Sequence, residues 1–423
     1  MRFRGRNGKA GFKSRAALLA ALCSTSAAQA GWFDYNDGKV LATGGVSMTD
    51  GAGGGGITPW ATITGYATRD GINGDLHYTY VVLPNYSLNS LGAAIGFYDR
   101  LEISYANDVL TTGSTFNTVG LLTETLGNVN VNGLLNNPDN TLGSANDIVA
   151  NVLGGLGAGE LANLNNALSG QGLGLGDLTG ALTGGPPLPA GVGDAIDLNG
   201  LVSDATGGLV GGGGNQGIEP FNTTIKMDVW GVKLRLFGEA IYDSDNLIPQ
   251  VAIGGFYKEN KNEELLRTLG AADSEDWEAY IAATKIFFPI NSLVNVTARY
   301  TSANQTGLTG FGNREGNDKE LRWEGSFAYL LNKGTAIGFE YAQHGDNLRD
   351  IYLGNQRASD LSGTGLTPAL ASTLQQRESD WYDVFVAFFP SKNLSITMAY
   401  AMLGDITITP DQNGYYVSLQ ASF

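Results

Sequence analysis

The chain holds one cysteine and two histidines in 423 residues. Cys23 follows Leu22, where lipoprotein processing wants a small residue, so neither a disulfide framework nor a lipid anchor is expected. The shortage of histidine removes the commonest general base. His77 and His344 stand in neither a nucleophile-elbow nor a His-Glu-x-x-His spacing, so both are expected to be polar lumen or interface residues, and no enzyme and no cofactor is expected. Metal motifs are missing too: there is no calcium-binding nonapeptide and no EF-hand loop. The run Gly53 to Gly56 is followed by no Lys-Ser or Lys-Thr and is no phosphate loop. Although 43% of the residues are hydrophobic, no stretch approaches the roughly 18 uninterrupted apolar residues of a membrane helix. Basic residues are scarce beyond the start of the chain. Setting aside the six in residues 1–30 takes the basic total from 25 to 19 against 41 acidic residues, and the formal charge from −16 to −22. Duplex nucleic acid is excluded as a partner on that balance.

What is present begins with a leader. Residues 1–30 carry Arg2, Arg4, Arg6, Lys9, Lys13 and Arg15, then the apolar run Ala16 to Leu22, then Ala28-Gln29-Ala30 before Gly31. That is the pattern of a secretory signal peptide, leaving residues 31–423 as the mature chain. At the other end, Gly414 to Phe423 alternates apolar with polar residues. A strand in lipid satisfies its backbone within a closed sheet and turns alternate side chains to lipid and lumen, so Tyr415, Val417, Leu419, Ala421 and Phe423 are expected to face lipid. Tyr415, Val417, Leu419 and Phe423 are also expected to form the signal read by the barrel-assembly machinery. The expected location is the outer membrane of a Gram-negative bacterium, among its lipid and lipopolysaccharide; the oligomeric state is left open.

Segments near ten residues long, the length of a tilted membrane strand, recur along the chain. Fourteen are drawn: 39–48, 59–68, 76–83, 90–98, 101–110, 224–237, 249–258, 278–288, 293–303, 320–331, 335–344, 381–389, 394–403 and 415–423. The fold class is therefore all-β, an antiparallel transmembrane barrel of about fourteen strands, with twelve as the fallback. Alternation is strict at Val294, Val296, Ala298 and Tyr300, and again at Leu321, Trp323, Gly325, Phe327 and Tyr329; it leaves the phase of 278–288 open. Tight connections at 99–100, 289–292, 332–334 and 390–393 alternate with long ones, as periplasmic turns and outer loops do, with two looser exceptions at 69–75 and 238–248.

The connection from Thr112 to Gly217 is far longer than the rest. It is rich in Gly, Leu and Asn, has Phe116 as its sole aromatic, and lies in a stretch without Lys or Arg from Leu101 to Ile225. A mobile surface loop, a plug folded into the lumen and a surface interaction element are all compatible with this composition.

Gly44-Gly45-Val46, the glycine run into Ile57-Thr58-Pro59-Trp60, and Val229-Trp230-Gly231-Val232-Lys233-Leu234-Arg235-Leu236-Phe237-Gly238 resemble a proteobacterial family catalogued as domain of unknown function 3034. Leu91 to Glu102 and Ile248-Pro249-Gln250-Val251-Ala252 resemble it as well. The resemblance spans nearly all the mature chain except Thr112 to Gly217. It implies an outer-membrane barrel and supplies no substrate, cofactor or catalytic residue.

Polar chemistry is expected to concentrate in the lumen, at Glu102, Lys233, Arg235, Arg299, Arg322, Glu324, Glu340 and His344. A symmetric hairpin about Asn332 to Gly334 would set Arg322 across from His344 and Ser326 across from Glu340, with Glu324 diagonal to Glu340 and His344. Such charges can line a pore, or pair with one another and hold the barrel closed. The first expectation is a porin-like passive channel for small solutes. The alternatives are a non-conducting barrel that displays an acidic surface element for adhesion or assembly, and a plugged barrel that takes up hydrophobic compounds.

Overall fold

The computed structural model describes residues 47–65, 71–116, 223–241, 246–332, 334–353, 356–359, 374–391 and 393–422, with isolated positions between 119 and 203 and at 372. The leader, most of the segment 39–48, nearly all of the 112–217 insert and Phe423 lie outside the described residues. The strands are β1 (Ile72–Val82), β2 (Ser87–Phe97), β3 (Leu101–Thr111), β4 (Thr224–Phe237), β5 (Gln250–Asn260) and β6 (Glu275–Phe287). They continue as β7 (Ser292–Thr301), β8 (Glu320–Asn332), β9 (Thr335–Ala342), β10 (Trp381–Ser391), β11 (Leu394–Met402) and β12 (Asn413–Ser422). Each pairs antiparallel with its sequence neighbours, and β1 closes on β12 from Asp75↔Ser422 to Val82↔Tyr415, so the sheet is a closed barrel of these twelve. Closure leaves no unpaired edge in lipid.

The count corrects fourteen to the twelve-strand fallback. The segment 59–68 is no barrel strand: its described part, up to Gly65, joins only isolated bridges such as Gly54↔Pro59, and its residues are buried. Ser47 and Met48, the described part of 39–48, belong to no strand. The strand drawn to His344 stops at Ala342, so His344 sits past its end, where its backbone N–H donates to Asp380 (2.8 Å).

Period two explains the wall. Outward positions are apolar and exposed, as at Val294, Val296 and Tyr300 on β7, Leu321, Trp323 and Tyr329 on β8, and Tyr415 and Val417 on β12. Near the long-loop end the outer face carries an aromatic ladder, with Tyr105, Trp230 and Tyr257 at 5.8 and 6.0 Å between ring centroids. Hydroxyls of this belt donate to carboxylates: Tyr105 to Asp228, Tyr257 to Glu275 and Tyr341 to Asp380. That is how an interfacial aromatic keeps its ring in lipid and its hydroxyl in the polar layer. The opposite end is where β2 passes to β3, β6 to β7, β8 to β9 and β10 to β11 by short connections and β4 to β5 by a longer one, and connection length identifies it as periplasmic. A six-residue helix, α1 (Glu263–Thr268), and the two-residue ladders 352–353 with 356–357 and 377–378 with 406–407 lie in the outer loops.

Candidate functional site

Eight strands enclose about the space their own side chains fill, and twelve enclose more. Here the surplus is taken by residues 47–65, which run inside the barrel as an irregular strap. Buried backbone polar groups cost free energy unless bonded, and those of the strap are met partly by its own backbone, as in Gly55 N–H to Thr58 O, and partly by side chains of the wall. Glu340 on β9 accepts from the N–H groups of Gly56 (2.6 Å) and Ile57 (3.0 Å), from Thr58 Oγ1 (2.7 Å) and from Ser326 Oγ (2.7 Å). Glu102 on β3 accepts from the N–H of Gly53 (3.0 Å) and of Thr64 (2.7 Å). Lys233 on β4 donates to the carbonyls of Gly53 (2.7 Å) and Thr62 (3.0 Å) and pairs with Glu102 (3.1 Å). Thr297 donates to Pro59 O (2.8 Å), Thr284 accepts from Ala61 N (2.7 Å), and Trp60 Nε1 donates to Ser326 Oγ (2.9 Å).

A second set joins the strap to the outer loops. Lys258 on β5 donates to Asp50 Oδ2 of the strap (2.9 Å) and to Thr306 O of the 302–319 loop (2.8 Å), and it pairs with Glu278 on β6 (3.0 Å). Arg299 on β7 holds Glu324 through two nitrogens, Nε at 2.6 Å and Nη2 at 3.2 Å, and also bonds Glu278. All five of these charged side chains are buried.

The eight residues expected to carry the lumen chemistry thus occupy different situations. Glu102, Lys233 and Glu340 hold the strap; Arg299 and Glu324 form the second set. Arg235 stands at the periplasmic end, bonded to Asp99 and Glu239. Arg322 lies opposite Arg299 in the ladder and turns to Ala303 O and Glu320. Ser326 does face Glu340, but Glu324 pairs with Arg299 rather than with Glu340 or His344, because Arg299 reaches it diagonally from β7. His344 is not in a ladder with Arg322. Its ring packs 4.6 Å from that of Trp381, and burial together with Arg322, Arg299 and Lys258 holds its pKa well below the usual histidine value. His77 is buried on β1 with Nε2 3.2 Å from Ser90 Oγ. Sequence reasoning missed Asp50, Lys258 and Glu278. Glu278 was lost with the unresolved phase of its strand, whereas Lys258 continues the inward alternation of Phe256 and was legible.

The strap and the second set leave one side of the lumen apolar. Between the strap (Ile57), the walls of β1 to β3 and β10 to β12 (Val81, Leu88, Leu110, Ala401) and a roof of outer-loop residues (Leu308, Ile406) lies a cavity of about 50 Å³. Hydroxyl-bearing residues such as Thr79, Thr309 and Thr397 border it too, yet its surface is mostly aliphatic and aromatic, and a space several times the roughly 10–15 Å³ one water needs with such a surface favours apolar occupants.

The family model for the protein of unknown function DUF3034 matches residues 43–135 and 205–420. The chain belongs to this family. The match includes the strap, β1 to β11 and β12 up to Gln420, and its one internal gap is 136–204, so the segment outside the family pattern is narrower than the full 112–217 insert. No curated protein sequence matches the chain. Among solved structures it is similar to the KdgM porin in complex with disordered oligogalacturonate (8% identity, 82% of this chain and 99% of that one, TM-score 0.35). It is also similar to the NanC porin (7%, 83% and 98%, TM-score 0.34) and to outer membrane phospholipase A from Escherichia coli (8%, 92% and 98%, TM-score 0.31). At such similarity the comparison concerns the barrel and not what passes through it.

Proposed function

We propose that this DUF3034 barrel is an outer-membrane channel for small apolar solutes, kept shut by its own N-terminal strap. The apolar cavity between strap and loop roof carries the reading. Porin lumens are polar, and a space whose surface is mostly that of Val81, Leu88, Leu110, Leu308, Ile406 and their apolar neighbours offers sugars and ions little compensation for lost water. The strap blocks the route toward the periplasm, so passage requires it to move. The outward aromatic and aliphatic residues of β12, Tyr415, Val417 and Leu419, are proposed as the part read by the assembly machinery.

The test compares cells with intact lipopolysaccharide, with and without the protein, for uptake of n-pentane and of a disaccharide. Faster alkane uptake with unchanged disaccharide uptake is the expected result. Equal acceleration of both would identify a general porin instead, and acceleration of neither would leave a non-conducting barrel. The paired lumen charges favour that second reading, since every strap contact they make opposes opening.

A further inference from the structure

The roof of the apolar cavity contains one polar side chain whose bonding is half complete. Gln305 is buried, with 1% of its surface exposed, and lines the cavity. Its Oε1 accepts from Trp381 Nε1 at 2.7 Å, which fixes the amide. Its Nε2 has no hydrogen-bond partner among the described residues. A buried amide nitrogen left unpaired costs about 1–3 kcal/mol, so its retention at the wall of a mostly apolar space calls for a reason.

The backbone there is also unusual. Gln305 and Thr306 both have positive φ, +43° and +62°, a region that side chains other than glycine's adopt at a cost. The turn is held from below by Lys258, donating to Thr306 O, and by Asn260 Nδ2, donating to Leu308 O (3.0 Å). It is held from behind by Asn304 Nδ2, donating to Gly312 O (2.7 Å). Three side chains thus oblige a strained turn to present Gln305 at the cavity, and Trp381 turns its free donor away from the indole.

We infer that Gln305 Nε2 is the recognition point for a ligand's single hydrogen-bond acceptor, and that the preferred solute is a slim apolar molecule ending in, or interrupted by, one carbonyl, ether or hydroxyl oxygen. This rests on the channel reading above and narrows it. A wholly apolar molecule fills the cavity and leaves Nε2 unpaired. A sugar brings more polar groups than the site can bond. A ketone of a few carbons satisfies both the wall and the donor.

The experiment uses the full mature chain in nanodiscs and follows the indole N–H resonance of Trp381, assigned with Trp381→Phe, while n-pentane or 2-pentanone is added. The two probes share a carbon skeleton and differ by one carbonyl. Gln305→Met removes the donor together with the acceptor of Trp381 Nε1; Gln305→Glu keeps an acceptor for Trp381 while replacing the donor with a second oxygen, and so isolates the donor. Both variants are expected to weaken 2-pentanone binding roughly three- to tenfold, the worth of one hydrogen bond, with n-pentane binding unchanged. If n-pentane binds and 2-pentanone is weakened no more than n-pentane, the recognition role fails and the apolar channel stands. If neither probe shifts the resonance of the native chain, the cavity is not a binding site and both fail together. Should a variant lose its barrel heat-stability, the ratio of the two affinities in the native chain, corrected for partition into the nanodisc, decides: no preference for the ketone overturns the inference.

Discussion

At Glu340 one buried carboxylate gathers two backbone N–H groups and a hydroxyl of the strap and one hydroxyl of the wall. Glu340→Ala leaves the Gly56 and Ile57 N–H groups without an acceptor, at about 1–3 kcal/mol each, while the Thr58 and Ser326 hydroxyls can still bond one another. The cost falls on the strap and not on the ladders, which bond through the backbone. The expected result is a barrel that still migrates as a folded species at room temperature in detergent electrophoresis but conducts in planar bilayers. Gly55 is the partner in this contact: a Cβ there would lie 1.6 Å from Glu340 Oε1. Gly55→Ala should therefore open the channel as well, even though alanine is otherwise the mildest of changes. Outside the membrane, the carboxyl of Glu378 is pushed up to about 7 by burial in the outer loops, with Asp346 adding to the shift, while the N–H groups of Asn347 and Leu348 and the charge of Arg322 oppose it. The folded loops keep a proton there that the unfolded chain releases near 4.5. Roof stability is thus fully present below about 4.5 and falls as pH rises through about 7. Protection factors for the Asn347 and Leu348 amides should drop across that window, and Glu378→Gln should flatten the profile.

At the scale of the element, the strap separates from the strands by where its hydrogen bonds go. Deleting residues 47–65 removes no barrel ladder, since no strand pairs with it. The deletion should leave the β content measured by circular dichroism intact while raising conductance from near zero to that of an open pore. The strands themselves were readable from segment length, with strict period two in only some of them: twelve segments overlap the observed strands, and β4 keeps its bounds to the residue, Thr224–Phe237. The strap escaped for the same reason. Pro59-Trp60-Ala61-Thr62-Ile63-Thr64 alternates like a strand, yet its partners are side chains of the wall, and nothing in a linear pattern separates those from a neighbouring strand. The signal that could have found it is the unbroken run Gly53 to Gly56, where Gly55 needs to be bare for Glu340 to approach and a strand would gain nothing from four glycines. Charge pairs were only partly readable, because Ser326 with Glu340 follows from one hairpin, whereas Glu324 with Arg299 depends on the register of another pair of strands.

At the scale of the whole molecule, gating and selectivity draw on the same buried charges. Lys258 joins strap, wall and roof through Asp50, Glu278 and Thr306, so withdrawing the strap takes Asp50 from the ammonium and loosens the roof in the same motion. It also exposes the wall to water. The buried carboxylates of the wall, Asp75, Glu102, Asp108, Glu278, Glu324, Glu340 and Asp383, then outnumber the cations Lys233, Lys258, Lys285, Arg299 and Arg322. Rings of fixed charge set ion preference by field strength, and the acidic excess of the whole chain, a formal −16, adds to it at the mouths. The strap-deleted barrel should be cation-selective, read as the sign of the reversal potential under a salt gradient. Anion selectivity would show that Lys233, Lys258, Arg299 and Arg322 dominate the constriction. Removing 136–204 instead should change neither conductance nor heat-stability, because β3 and β4 remain paired up to Thr111↔Thr224 and closing a shorter loop costs the chain little. The pair of deletions assigns the closed state to the strap or to the insert: conductance gained only on cutting 47–65 places the gate at the N-terminal end, and conductance gained on cutting 136–204 moves it to the insert.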